Sequence, residues 1–395
     1  MLDFNFFIPT RIIFGAGRLA DLASTPHLPP GKKAMIVMGQ SGSMLRHGHL
    51  GRVQGYLGDR GVATVVSDTV TPNPESDQVD EAGARARELG VDFIVGLGGG
   101  SSLDAAKGVA LMARNPGSIW DCMPAGSGGR KKPEAPGLPL VAIPTTAGTG
   151  SEADPWLVIS KSGGREKIGW GTDATFPALS LVDPELALTL GPAQTAYTGL
   201  DAFFHAVETY VSTRRQPVSD MLALEAAHLV HHYLPEAVQD GRNLEARTVL
   251  AWASTAAGFC QSLSSCLSLH SMEHSLSAFH PTLPHGLGLA LLAGAYFDWL
   301  APRAPERFAD LALAMEPEAA NLPEERQPLA FAPLLRDLIE ASGLGNESLA
   351  AHGVQAGDIP DLARCALETM PMLFESMPVK MGYEDVVEIF EKALE

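Results

Sequence analysis

VDFIVGLGGGSSLDAAKGVALMAR, residues 91–114, decides the fold. Its first half is a short apolar run, which predicts a strand buried on both faces. The run enters a glycine turn, and a helix is expected from Ser102 to about Arg114. The same rhythm recurs upstream. KAMIVM (33–38) reads as a strand, 49–60 as a helix, VATVVS (62–67) as a strand and 75–90 as a helix. Repeated β-α-β order predicts a parallel sheet covered by helices. Downstream, the Gly-, Pro- and Lys-rich loop GSGGRKKPEAPG (126–137) leads into a further strand, LPLVAIPTT.

The second half differs. From about Pro192 the β-branched runs thin out and helical patterns take over. Pro192–Thr213 is the first, with proline at a favourable helix start. Leu222–Leu234, Leu244–Phe279 and 286–301 continue the pattern. A chain of 395 residues exceeds one ordinary core. The composition shift near 185–192 therefore predicts an α/β domain over residues 1–187 and an all-helical domain over 188–395. No repeat of 20–50 residues and no low-complexity tail is visible.

Hydrophobic residues make up 46% of the chain and charged residues 19%, which describes a globular protein. The formal net charge of −18 repels phosphate backbones and argues against nucleic-acid binding. It does not exclude one small anionic cofactor held locally. Cys122, Cys260, Cys266 and Cys365 match neither a disulfide framework nor a CxxC motif, so reduced thiols in a cytoplasmic protein are expected. MLDFNFFIPTRIIFG lacks the basic start and cleavage site of a signal peptide. The longest apolar stretch, Leu287–Phe297, is too short to span a bilayer, and no membrane partner is expected.

GGGSSLDAAK (98–107) joins a strand to a helix. Glycines let backbone approach a pyrophosphate without Cβ clashes, and a helix N-terminus supplies free N–H donors. An ordinary βα turn with a helix cap explains the run equally well on its own. It is not the usual dinucleotide fingerprint, because GxGxxG is absent after the first strand. PTTAGTGSE (144–152) brings hydroxyls and glycines suited to phosphate or ribose oxygens. Each loop follows an apolar strand, so the pair favours a nucleotide site at one sheet edge. MGQSGSMLRHG (38–48) follows the first strand and places Gly39, Gln40 and Ser41 where an acidic residue would select NAD. With Arg46 nearby, this points towards NADP.

Asp201 and His205 form one i,i+4 pair, and His270 and His274 another; His285 follows in a Pro-His-Gly. Each pair shares a helix face, so two facing helices could close a three- or four-ligand site. Such nitrogen and oxygen donors suit Fe²⁺, Zn²⁺, Co²⁺ or Ni²⁺. Cys260 and Cys266 lie upstream at non-ligand spacing, so no thiolate is expected in the set. His228, His231 and His232 read as a polar helix surface, and His280 is unassigned. A catalytic ion with an open position would act as a Lewis acid on an alcohol oxygen.

Taken in order, these motifs resemble the iron-containing (group III) alcohol dehydrogenases. The resemblance runs from FxxPTRIIFGAG (6–17) through PNP (72–74), GGGSSLDAAK, PTTAGTGSE, DPEL (183–186) and TGLDAFFHAVETY (198–210) to HSMEHSLSAFHPTLPHGLG. It implies an N-terminal dinucleotide-binding domain, an all-helical C-terminal domain and an active site in the cleft between them. The implied metal ligands are Asp201, His205, His270 and His285, with His274 close to substrate as the catalytic histidine. The implied cofactor contacts are Gly99, Gly100 and Ser101 at the pyrophosphate and Thr145, Thr146, Thr149 and Ser151 around the nicotinamide half. Lys167 is a weaker match to a ribose-binding lysine. Gly39, Ser41, Pro74 and Asp104 complete the cofactor set from their motifs.

The implied cofactors are Fe²⁺, with Zn²⁺ as an alternative, and NADP or NAD. The implied activity is hydride transfer between cofactor and a small alcohol or aldehyde. A homodimer is implied too, with Phe4, Phe6 and Ile8 as apolar residues able to pair across it. The spacing from His270 to His285 is 15, where many members have 14. A redox-neutral reaction, as in the related dehydroquinate synthases, is the competing reading; the GTGSE loop and the HSMEH and PHG motifs argue against it. A non-enzymatic nucleotide-binding protein is the third, and the intact ligand set weighs against that.

Overall fold

Apolar runs form the strands, and glycine sets where the decisive one stops. The computed structural model describes residues 3–395. They fold as two compact units. One comprises Ile8–Thr146 and Gly150–Thr189, the other residues 3–7, Ala147–Thr149 and Leu190–Glu395.

The first unit contains β1 (Arg11–Phe14), β2 (Lys33–Gly39), β3 (Ala63–Val70), β4 (Phe93–Gly98), β5 (Leu140–Pro144), β6 (Leu157–Ser160), β7 (Lys167–Trp170) and β8 (Leu179–Val182). Its helices are α1 (Ser43–Arg46), α2 (His49–Asp59), α3 (Ser76–Glu88) and α4 (Gly100–Met112). Six strands form a parallel sheet in the order β1-β8-β5-β4-β2-β3, while β6 and β7 make a separate antiparallel ribbon. β4 is buried along its whole length. Ile36, Phe93, Val95, Leu97, Val141, Ile143 and Leu181 fill one core against the sheet.

The chain runs from β2 outward to β3, then returns to lay β4 on the other side of β2. Strand order thus reverses between β2 and β4. Ligands in open parallel sheets sit outside the carboxyl ends of strands at such a point. Gly98 closes β4 with φ +146°, a conformation that a side chain disfavours. The chain turns there into α4, which begins at Gly100, two residues before the expected Ser102.

The second unit is helical: α5 (Pro192–Val211), α6 (Pro217–Gln239), α7 (Leu244–Leu263), α8 (Ser268–Phe279), α9 (His285–Leu300), α10 (Pro305–Met315), α11 (Phe331–Ala341), α12 (Ile359–Thr369), α13 (Pro371–Glu375) and α14 (Tyr383–Leu394). Phe331 anchors its core, with ring centroids 4.9 Å from Phe308 and 5.3 Å from Phe297 in edge-on contacts.

The segment 244–279, expected as one helical run, is two helices. Ser264 leaves helical geometry at φ −139° and ψ −142°. Its hydroxyl donates to Thr209 O at 2.8 Å, and Leu267 N donates to Glu208 Oε2 at 2.7 Å. Tertiary partners satisfy the turn and make the break. Among the described residues, no helix is long and apolar enough to cross a membrane.

Candidate active site

α5 begins with Pro192 at its first turn and is buried continuously from Gly199 to Val211. Asp201, His205 and Glu208 lie on one face of this otherwise largely apolar helix. Buried polar groups need partners. α8 brings His270 to them, and α9 brings His285 at its first residue. Asp201 Oδ1 lies 3.5 Å from His205 Nδ1, 3.5 Å from His270 Nε2 and 3.6 Å from His285 Nε2.

Those separations are long for hydrogen bonds. Among the described side chains, Asp201 Oδ1, His205 Nδ1 and His270 Nε2 are buried with no hydrogen-bond partner. A tetrahedron with metal–ligand bonds of about 2.1 Å has edges of about 3.4 Å. Asp201, His270 and His285 each bring a ligand atom within 4.8 Å of the others, as ligands of one divalent cation would, and His205 Nδ1 adjoins the group through Asp201. His274 is buried beside them, its ring centroid 5.6 Å from that of His285. Glu273, His274 and His285 bring ligand atoms within 4.8 Å of one another, so His274 flanks the Asp201 group.

Two carboxylates that sequence reasoning passed over orient the rings. Glu208 Oε1 pairs with His270 Nδ1, and Glu273 Oε2 with His285 Nδ1. Each pairing turns the opposite ring nitrogen towards Asp201, the outer arrangement typical of metal-ligating histidines. Burial alone would raise the Asp201 carboxyl, but His205, His270 and His285 outweigh it and hold it well below the usual carboxylate range. Burial lowers His205 to about 3. For His270, burial is outweighed by Glu208 and Asp201, which push it up to about 10. This concentration of buried negative charge favours a cation. The backbone also makes room: a methyl on Gly286 would overlap the Tyr197 carbonyl.

One thiol departs from the sequence expectation. Cys266 lies with His205 and His270, one ligand atom of each within 4.8 Å of the others. Spacing along the chain concealed it because the turn between α7 and α8, not a helix, carries it there. Of the histidines expected on a polar helix surface, His232 is exposed, while His228 and His231 are half-buried. Burial lowers His231 to about 4; His228 Nδ1 pairs with Ala314 O at 2.8 Å.

In the first unit, the loops after β2, β4 and β5 leave the carboxyl ends of three adjacent strands. Gly39 closes β2, and Gly99 and Gly100 open α4, followed by Ser101. Thr145 N donates to Gly98 O at 2.9 Å, and a Cβ on Gly99 would lie 3.2 Å from Thr146 Oγ1. The glycine and threonine loops are therefore in contact. Ser41 is exposed, and its carbonyl accepts from Arg46 Nη1 at 2.6 Å. Pro74 O accepts from Ser160 N at 2.8 Å.

Behind these loops lies a buried polar network. Lys107 Nζ donates to Ser151 Oγ at 2.7 Å, Asp154 Oδ1 at 2.9 Å and Trp156 O at 2.6 Å. Ser151 Oγ donates to Asp104 Oδ1 at 2.7 Å, and Val158 N to Asp104 Oδ2 at 3.0 Å. Both carboxylate oxygens of Asp104 are thus engaged within the unit. Burial raises Asp104, despite Lys107. Burial also drives Asp154 up to about 7, against the pull of Lys107 and with help from Asp104. Lys167 is buried near enough to Asp104 to oppose that rise. Thr149 belongs to the helical unit, where its carbonyl accepts from Gln261 Nε2 at 2.9 Å.

A six-stranded parallel sheet with glycine and threonine loops at its strand ends, followed by a helical unit with an Asp-His₃ cluster, is the architecture on which comparisons with known proteins bear. The family model for iron-containing alcohol dehydrogenase matches residues 9–184, and that for the C-terminal region of the Fe-containing alcohol dehydrogenase family matches 195–394. Alcohol dehydrogenase 4 of Saccharomyces cerevisiae is 33% identical over 99% of this chain and 98% of its own. NAD-dependent methanol dehydrogenase of Bacillus methanolicus is 31% identical over 99% and 100%. The crystal structure of alcohol dehydrogenase ADH/D1 from an archaeal halo-thermophile of a Red Sea brine pool superposes with a TM-score of 0.94. It is 33% identical and covers 100% of both chains. The chain belongs to the iron-containing alcohol dehydrogenase family and is an oxidoreductase acting on alcohols.

Proposed function

We propose that this protein is a divalent-metal-dependent, nicotinamide-linked alcohol dehydrogenase and aldehyde reductase for small alcohols and aldehydes. One observation carries the reading: a buried Asp201 oxygen ringed by three imidazole nitrogens at 3.5–3.6 Å. Asp201, His205, His270 and His285 would hold Fe²⁺, with Zn²⁺ as the alternative. When bound, the cation supplies Lewis acidity to an alcohol oxygen, and the nicotinamide supplies the hydride carrier.

The chain's own residues do the rest. Glu208 and Glu273 fix the tautomers of His270 and His285. His274, buried beside His285, takes up or returns the hydroxyl proton. Gly99, Gly100 and Ser101 offer backbone N–H donors to a pyrophosphate at the start of α4. Thr145, Thr146 and Thr149 serve the nicotinamide half, and Gly39, Ser41, Pro74 and Lys167 complete the cofactor contacts. Asp104 and Ser151, bonded to each other, belong to the same cofactor set and also hold the loops in place. The loop after β2 carries no carboxylate to repel a 2′-phosphate, so NADP is accepted as well as NAD. Phe4 and Phe6, exposed by about half, mark the face of a homodimer; Ile8, expected with them, is half-buried, and Phe7 is the neighbouring exposed aromatic.

The test is direct. Protein loaded with Fe²⁺ should oxidise NADH or NADPH when given a short aldehyde, and a chelator should stop it. No loss of reduced-nicotinamide absorbance with Fe²⁺, Zn²⁺, Co²⁺ or Ni²⁺ over a panel of short aldehydes overturns the proposal. Net cofactor consumption also separates it from redox-neutral chemistry.

A further inference from the structure

Cys266 lies beside the Asp201 cluster in a position the backbone enforces. The rings of His205 and His270 stack with centroids 4.3 Å apart, and one ligand atom of each lies within 4.8 Å of the other and of the Cys266 sulfur. His205 Nδ1 and His270 Nε2 are buried and have no hydrogen-bond partner. The chain is pinned on both sides of the thiol. Leu267 N donates to Glu208 Oε2 at 2.7 Å, and Ser264 Oγ to Thr209 O at 2.8 Å. Ser265 Oγ donates to Cys266 O at 3.0 Å and accepts from Ser376 Oγ at 3.1 Å. Glu208 thus positions His270 through its ring and Cys266 through the next residue.

Two other thiols are unlike it. Cys260 is fully buried, its sulfur donates to Ser219 O at 3.4 Å, and burial pushes its thiol up to about 12. Cys122 is buried, and burial raises its thiol too. Cys266 is half-buried.

We propose that Cys266 is a sulfur donor to this cluster. Its thiolate ligates zinc, and softer ions such as cadmium, together with His205 and His270, beside the Asp201 oxygen. The proposal rests on reading the Asp201–His285 cluster as a metal centre. Ligation exchanges the S–H bond for a sulfur–metal bond and releases the proton to solvent; no electrons are transferred. The consequence is selectivity. Nitrogen and oxygen donors alone accept iron and zinc alike, whereas thiolate shifts the preference towards zinc.

Cobalt reports the sulfur directly, because thiolate ligation adds an intense near-ultraviolet charge-transfer band. The full-length protein, stripped and reloaded with Co²⁺, should show that band. Cys266→Ser and Cys266→Ala should lose it while elemental analysis still finds cobalt bound. Zinc should compete against iron roughly tenfold better in the wild type than in Cys266→Ala. Bound zinc should also protect Cys266 from iodoacetamide, read by peptide mass. Cobalt bound without the band in the wild type, or a band that persists in both variants, overturns the thiolate. A wild-type chain that binds none of cobalt, zinc or iron overturns the metal-centre reading itself.

Discussion

Glu208 follows Asp201 by seven residues and His205 by three, so α5 presents all three on one face. Its carboxylate accepts from the His270 ring and from Leu267 N, which fixes both a ligand and the start of α8. Removing it frees the His270 ring and leaves a buried N–H unpaired. Glu208→Ala should weaken metal binding roughly 10–100-fold. Glu208→Gln should lose less, because an amide oxygen still accepts. Titration against a chromogenic chelator measures this; one affinity shared by all three proteins would refute the assignment. The ligand candidates were legible in sequence because histidine and aspartate stand out at i,i+4 in apolar helices. Glu208 and Glu273 were not, since glutamate is common on any helix. The usable signal was position: each falls three residues after a histidine, His205 or His270, inside a run too apolar to be a surface.

The alternation of strand and helix was plain along the first unit because β-branched runs and glycine turns punctuate it. α8 was merged with α7 because the turn at 264–267 contains no glycine or proline; partners far away in sequence make the break. Burial hid the purpose of GGGSSLDAAK in part. Asp104 is expected at the cofactor, and its oxygens also accept from Ser151 and Val158. Lys107 carries no signal in the sequence, yet it is 1% exposed and pairs with Asp154, 47 residues later. α4 is thereby tied to the strand-end loop and to β6. Lys107→Met keeps the length of the stem but leaves two buried carboxylates without their cation. Breaking a buried pair from one side costs about 3–5 kcal/mol. Denaturant unfolding at about pH 8, above the Asp154 value of about 7, should show a loss of that size; a change under about 1 kcal/mol would mean that water, Lys167 or a proton on the acid replaces the ammonium.

The exposed aromatic run Phe4, Phe6 and Phe7 offers a whole-molecule test. The proposed homodimer predicts a wild-type mass of two chains by light scattering and of one chain with serine at all three positions; a wild-type mass of one chain would refute the dimer, and an unchanged variant mass would refute this face. Response to pH is also a property of the whole chain, and here the buried network supplies the sign. Asp154 sits at about 7 in the folded protein, raised first by burial, against an ordinary value of 3.8. The folded state therefore holds this proton more tightly than the unfolded chain does. Its contribution to stability is complete below about pH 4 and is lost as pH rises through about 7. Asparagine resembles the protonated acid and does not titrate, so Asp154→Asn should escape that loss. Titrations far from this network, including those at His205 and His270, are shared by both proteins and cancel in the difference. Between about pH 4 and 7 the wild-type Tm should fall relative to that of the variant, by roughly 2–4 °C for each kcal/mol lost, and level off above that. Parallel Tm curves would show that Lys107 keeps Asp154 ionised throughout, and that the proton resides on Asp104 or nowhere in the network.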